Sequence, residues 1–138
     1  MIISYAAAYT ATAVVFFGLD FVWLSTLSTS FYRSRIGVLL LDQPNFGVAG
    51  IFYLVYVAGI VHFAVMPAVN GASWTAALVN GALLGLVAYG TYDMTNLATL
   101  KNWSVSVSVV DMMWGIILTA TAATCAYLFT ASTMAKAG

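Results

Sequence analysis

Three of the chain's carboxyl groups, Asp20, Asp93 and Asp111, lie inside long apolar stretches. Moving an ionisable side chain into lipid is expensive, so such groups normally face another helix or a water-filled cavity. The densest polar neighbourhood runs from Tyr89 to Trp103 and carries Tyr92, Asp93, Thr95, Asn96 and Thr99. Carboxylates that meet in a lipid-shielded space cannot all be charged, because desolvation and mutual repulsion both favour the neutral form. At least one is expected to hold a proton at neutral pH unless a cation sits among them. A neutral acid can donate to Asn96, Tyr92 or a backbone carbonyl. The chemistry on offer is the binding or passage of a proton, a cation or an amine-bearing solute. The competing reading is a structural network that fixes helix register, with energies of ~0.6 kcal/mol per polar pair.

The elements that position these groups follow from hydropathy. The chain is 63% hydrophobic and only 6% charged over 138 residues, whereas a soluble domain carries about 25% charge. An integral membrane protein is the reading that fits. Four apolar runs, residues 2–27, 46–68, 74–100 and 103–131, each reach the roughly 20 helical residues that a bilayer requires. Strands are excluded because the alternating pattern of a membrane barrel is absent. The expected fold is all-α, a single-domain four-helix bundle. Its connections, 28–45, 69–73 and 101–102, are short enough to force an up-down-up-down course. Residues 2–27 read as a retained helix, because no basic region or cleavage site precedes or follows them.

Depth brings the acids together. Asp20 lies ten residues before Ser30, Asp93 eight before Lys101 and Asp111 eight after Trp103. At the helical rise, all three sit roughly 12–15 Å from one boundary of the membrane. Counting from Phe46, the second run supplies Tyr53 and Tyr56 near that level. In the third run Gly81, Gly85, Tyr89, Tyr92, Asp93 and Asn96 share a stripe. Gly81 and Gly85 form a Gly-x-x-x-Gly that permits close helix approach. In the fourth, Ser104, Ser108, Asp111, Gly115, Thr119 and Ala122 form a narrow small and polar stripe. Both stripes read as packing faces, which turns the acids inward.

The remaining candidates are weaker. Within the spans there is no basic residue to neutralise the acids, since Arg33, Arg35 and Lys101 are in connections; a shared proton or bound cation is therefore favoured over a buried salt bridge. His62 falls about 12 Å from the acid level and reads as a packing histidine, with an outer proton relay as the alternative. Three acids without histidine would suit only a hard cation, and no metal site is assigned. Cys125 reads as a small packing residue. No catalytic residue is assigned, because the hydrolase, metalloprotease, phosphate-loop and dithiol patterns are absent. No cofactor can be named from the residues. The balance of four basic and four acidic residues, with no basic patch, argues against nucleic acid.

Orientation follows from Arg33, Arg35 and Lys101, which place connections 28–45 and 101–102 in the cytoplasm and both termini outside. Phe31, Tyr32, Trp74 and Trp103 fall near the expected interfaces, as aromatic belts do.

Three segments carry a family resemblance. They are Leu19-Asp20-Phe21-Val22-Trp23-Leu24, the stretch from Tyr92-Asp93-Met94-Thr95-Asn96 through Leu97-Ala98-Thr99-Leu100-Lys101-Asn102-Trp103, and Asp111-Met112-Met113-Trp114-Gly115. Together they resemble a family of small predicted bacterial membrane proteins catalogued only as a domain of unknown function. The resemblance implies a complete four-helix protein of the bacterial inner membrane and brings no activity, substrate or cofactor.

Three functions are weighed. The first is a small carrier or binding protein, at least a homo-oligomer, in which Asp20, Asp93, Asn96, Asp111, Tyr53, Tyr56 and Tyr92 hold a proton or cationic solute. The second is an accessory or assembly subunit of a larger membrane complex, suited by small size, short connections and the Gly81–Gly85 face. The third is an enzyme acting on a lipid or isoprenoid with Asp93 and Asp111 as acid and base, the weakest because no nucleophile or metal motif accompanies them.

Overall fold

In a computed structural model, residues 1–138 are described, with the side chains of all but Ser28 and Thr29. The chain is helical, with no strand among the described residues. Four helices are long and apolar enough to cross a membrane: Ile2–Leu27, Phe46–Asn70, Trp74–Thr99 and Val105–Ala137. These are the first to fourth spans below.

Local chemistry explains where they begin. Asn45 Oδ1 accepts from Val48 N (3.1 Å), Ser73 Oγ from Ala76 N (3.2 Å) and Ser104 Oγ from Val107 N (3.3 Å). Each satisfies a backbone donor that the first helical turn leaves without a partner. The Ser104 cap starts the fourth span after Trp103, and the helix continues beyond Ala131 to Ala137. Within the second span, Val61–Val65 is a widened turn in which Met66 N reaches back to Val61 O. Pro67 follows, and a proline ring cannot complete the ordinary helical bond to the preceding turn. The connection after the first span is itself coiled, through helical turns at Arg33–Ile36 and Gly37–Leu39.

Each span buries one stripe. In the first it is Ser4, Ala8, Thr12, Phe16 and Asp20, at a strict spacing of four. In the third it is Ala77, Gly81, Gly85 and Asp93, with half-buried Tyr89 completing the same row. The fourth span is the hub, making its largest contact with the third and the next with the first. Glycine sets the closest approach. A Cβ at Gly85 would run into Gly115 O, and one at Gly81 would stand 2.9 Å from Ala120 Cα. A Cβ at Gly115 would run into the ring of Tyr89.

The second span is less evenly seated. From Phe46 to Val55 no residue is buried, whereas Tyr56, Val57, Ile60, Val61, Ala64 and Val65 are. It packs on the third span through Val61–Val65, while its Phe46–Ile60 stretch barely touches that helix.

Candidate carboxyl site

The site is built from two copies of one short pattern. Asp20 is followed three residues later by Trp23, and Asp111 three residues later by Trp114. At that spacing both side chains of each pair project from one helix face. The two indoles stack across the first and fourth spans, 4.3 Å between centroids and 4° from parallel. Each then serves the other pair's acid. Trp114 Nε1 donates to Asp20 Oδ1 at 3.2 Å. Trp23 Nε1 donates to the Tyr32 hydroxyl at 2.9 Å, and that hydroxyl donates to Asp111 Oδ1 at 2.8 Å. Burial, and then the adjacent Asp111 carboxylate, push the Tyr32 phenol well above its usual range, so it remains a donor at physiological pH.

Asp93 enters from the third span. It is fully buried, and neither carboxyl oxygen has a hydrogen-bond partner among the described residues. The Asp111 carboxyl stands beside it, within hydrogen-bonding reach once one of the two carries a proton. Two carboxylates are acceptors only, which is why no bond joins them in the charged form. The backbone around Asp93 is fixed by a relay across the Lys101–Asn102 turn. Trp103 Nε1 donates to Ser108 Oγ (2.9 Å), and Ser108 Oγ donates to Asp93 O (3.0 Å). Asn102 adopts the left-handed conformation (φ 61°) that this tight turn requires, one that asparagine tolerates well.

Several expectations change. Asp20 and Asp93 are buried, but Asp111 is half-buried, because its side chain lies where the first connection meets the bundle. The acids do not close on one point: among the described residues no three His, Cys, Asp or Glu side chains gather as a metal-binding group. They form a line instead, Asp93 beside Asp111, and Asp111 joined to Asp20 through the tryptophan pair and Tyr32. Tyr53 is half-buried, its ring packed on Phe16 and Phe17 of the first span at 5.6 and 6.1 Å between centroids. Tyr56 points away, its hydroxyl bonded to Thr119 Oγ1 at 2.8 Å. Tyr92 is exposed, edge-on to Trp103 at 5.8 Å, and Asn96 is half-buried. Gly81, Gly85 and Gly115 lie together in the seam between the third and fourth spans.

Tyr32 is not an interfacial anchor, since it is 9% exposed and bonded to Asp111. Trp23, Tyr32, Tyr89 and Trp114 were missed as site residues, and the repeated Asp-x-x-Trp spacing was the signal that could have found two of them. His62 is exposed beside Phe63 rather than packed. Cys125 is likewise exposed. Arg35 lies 4.0 Å above the Phe31 ring and donates to Ser106 Oγ at 3.2 Å, which holds it away from the acids.

A family model described as "Predicted membrane protein (DUF2177)" matches residues 5–128. The chain belongs to that family. No curated protein and no solved structure matches it. With four spans and this membership, the chain is a membrane protein in contact with the lipid bilayer, from a family whose function is unknown.

Proposed function

We propose that this protein holds one exchangeable proton between Asp93 and Asp111 and gives it up to a cation or an amine-bearing solute. The observation that carries the reading is Asp93 itself, fully buried with both oxygens unpartnered beside a second carboxyl. An unpaired charge in such a place costs several kcal/mol or more. A proton shared with Asp111 supplies the missing hydrogen bond, and a cation between the two carboxyls would do the same. The other titratable groups near the pair are Tyr32 from the first connection, Tyr89 and Tyr92 from the third span, and Asp20 and Tyr53 across the bundle.

In this reading the chain is one domain of the bacterial inner membrane. Its spans alternate, connections 28–45 and 101–102 are cytoplasmic, and both termini are outside. Four helices enclose little path, so passage across the membrane would take at least a homodimer. The alternative of an accessory subunit loses one support: Gly81 and Gly85 are occupied by the chain's own fourth span and offer no face to another protein.

The test is a proton count. Wild-type protein in uncharged micelles and the Asp93→Asn variant are titrated against a pH-indicating dye. The wild type should hold one proton more at neutral pH, and Asp111→Asn should remove the same proton. Equal counts in all three would overturn the reading.

A further inference from the structure

Asp93 and Asp111 are alike in chemistry and unlike in their supply of donors. Ser108 Oγ lies 3.0 Å from Asp93 O, and Asp111 follows Ser108 by three residues, on the same face of the fourth span. That register brings the two carboxyls side by side. Asp93 is fully buried and has no partner for either carboxyl oxygen among the described residues. The relay from Trp103 through Ser108 holds its backbone carbonyl, not its side chain. Asp111 is half-buried and already accepts a hydrogen bond at Oδ1.

The donor to Asp111 is fixed in direction. An indole N–H only donates, and a phenol has a single hydrogen. With Trp23 Nε1 2.9 Å from the Tyr32 hydroxyl, the phenol oxygen accepts there, and its one hydrogen is left for Asp111 Oδ1 at 2.8 Å. Stacking on Trp114 holds the Trp23 ring in that plane. A hydrogen bond donated to a carboxylate favours its charged form, and a donor that is itself polarised by a second donor is a stronger one. On the other side, Trp114 Nε1 donates to Asp20 Oδ1. An indole cannot relay a proton by accepting one, so this bond gives Asp20 no share in the pair's proton.

We propose that Tyr32, oriented by Trp23, is a positioning residue that fixes Asp111 as the anion of the pair and leaves the proton on Asp93, whose hydroxyl donates to Asp111. This rests on the reading that the pair holds one proton, and it adds which carboxyl carries that proton and what selects it. The sealed group is then neutral, and the charge lies on the half-buried group with two donors. The titratable groups on the surrounding elements are Tyr32 of the first connection, Asp20 of the first span, Tyr53 of the second, and Tyr89 and Tyr92 of the third. Arg35 is turned to Phe31 and Ser106.

The experiment follows the carboxyl carbonyl stretch of the full chain in uncharged micelles by infrared difference spectroscopy. At neutral pH the wild-type band should keep its position in Tyr32→Phe, because Tyr32 does not bond to Asp93. In an Asp93→Asn background Asp111 is the remaining acid of the pair, and its band rises on acidification. Adding Tyr32→Phe should make Asp111 bind its proton roughly tenfold more tightly, since a hydrogen bond to a charged group is lost. Trp23→Phe, which keeps a ring for stacking and removes the N–H, should act in the same direction and less strongly. A merely structural Tyr32 would leave this proton uptake where it was. Unchanged uptake on adding Tyr32→Phe would overturn the proposal. So would a neutral-pH band that moves in Tyr32→Phe, which would place the proton on Asp111. Failure of the proton-holding reading is distinct from both: the wild type then shows no neutral-pH band at all.

Discussion

The third and fourth spans meet twice, and the two meetings are built on opposite terms. Along Gly81, Gly85 and Gly115 the backbones touch, and every position that could hold a side chain is taken by the opposite helix or by the Tyr89 ring. One turn further toward Lys101, at Asp93 and Asp111, the same helices bring two acceptors together and provide no donor between them. The seam is complete in itself. The carboxyl pair leaves both Asp93 oxygens without a partner among the described residues. Close packing beside the pair gives a small bundle the rigidity to hold an energetically unfavourable group in place.

That contrast can be broken from either side. The largest effect is expected in the seam. Gly85→Leu would drive a side chain into Gly115 O, and overpacking of this kind costs about 1–3 kcal/mol, occasionally more. Thermal unfolding in micelles should show the variant failing to fold or melting far below wild type. The pair should behave in the opposite way. Asp93→Leu removes two unpartnered acceptors, and replacing buried unpaired polar groups with apolar ones is often neutral or stabilising. The same unfolding assay should show no loss, while the exchangeable proton disappears. A drop of more than about 2 kcal/mol would make Asp93 a structural member instead.

Between these extremes lies Tyr32, which accepts from Trp23 and donates to Asp111. Tyr32→Phe should cost about 1 kcal/mol, the range found for hydrogen bonds between membrane helices, and should alter the pH dependence of the proton count because Asp111 loses its donor. Smallest of all is Ala72→Gly. Ala72 sits at φ 51° in the turn before the third span, a conformation that costs non-glycine residues about 1–2 kcal/mol. A rise in melting temperature equivalent to about 1 kcal/mol or less is expected, with no change at the site.

Hydropathy alone made the four spans legible, because lipid demands long apolar helices whatever else the chain does. The inward turn of Asp93 is readable from its place on a stripe of small residues, and that of Asp20 from the cost of placing an acid in lipid. Asp111 is only half-buried, since depth along a helix says nothing of what the first connection leaves uncovered. Tyr32 reads as an interfacial residue only if its connection is a loop outside the bundle; coiled turns fold it back beneath the first span. The second span's lean away from the third has no signature in its nearly uniform apolar run. The crossed tryptophans depend on how two distant helices are juxtaposed, which spacing along one helix cannot supply.

Infrared difference spectroscopy of the carboxyl carbonyl stretch tests the central pair most directly. At neutral pH the wild type should show a band from a protonated carboxyl that shifts in deuterium oxide and vanishes in Asp93→Asn. Absence of that band, or its survival unchanged in Asp93→Asn, would contradict a proton held between Asp93 and Asp111.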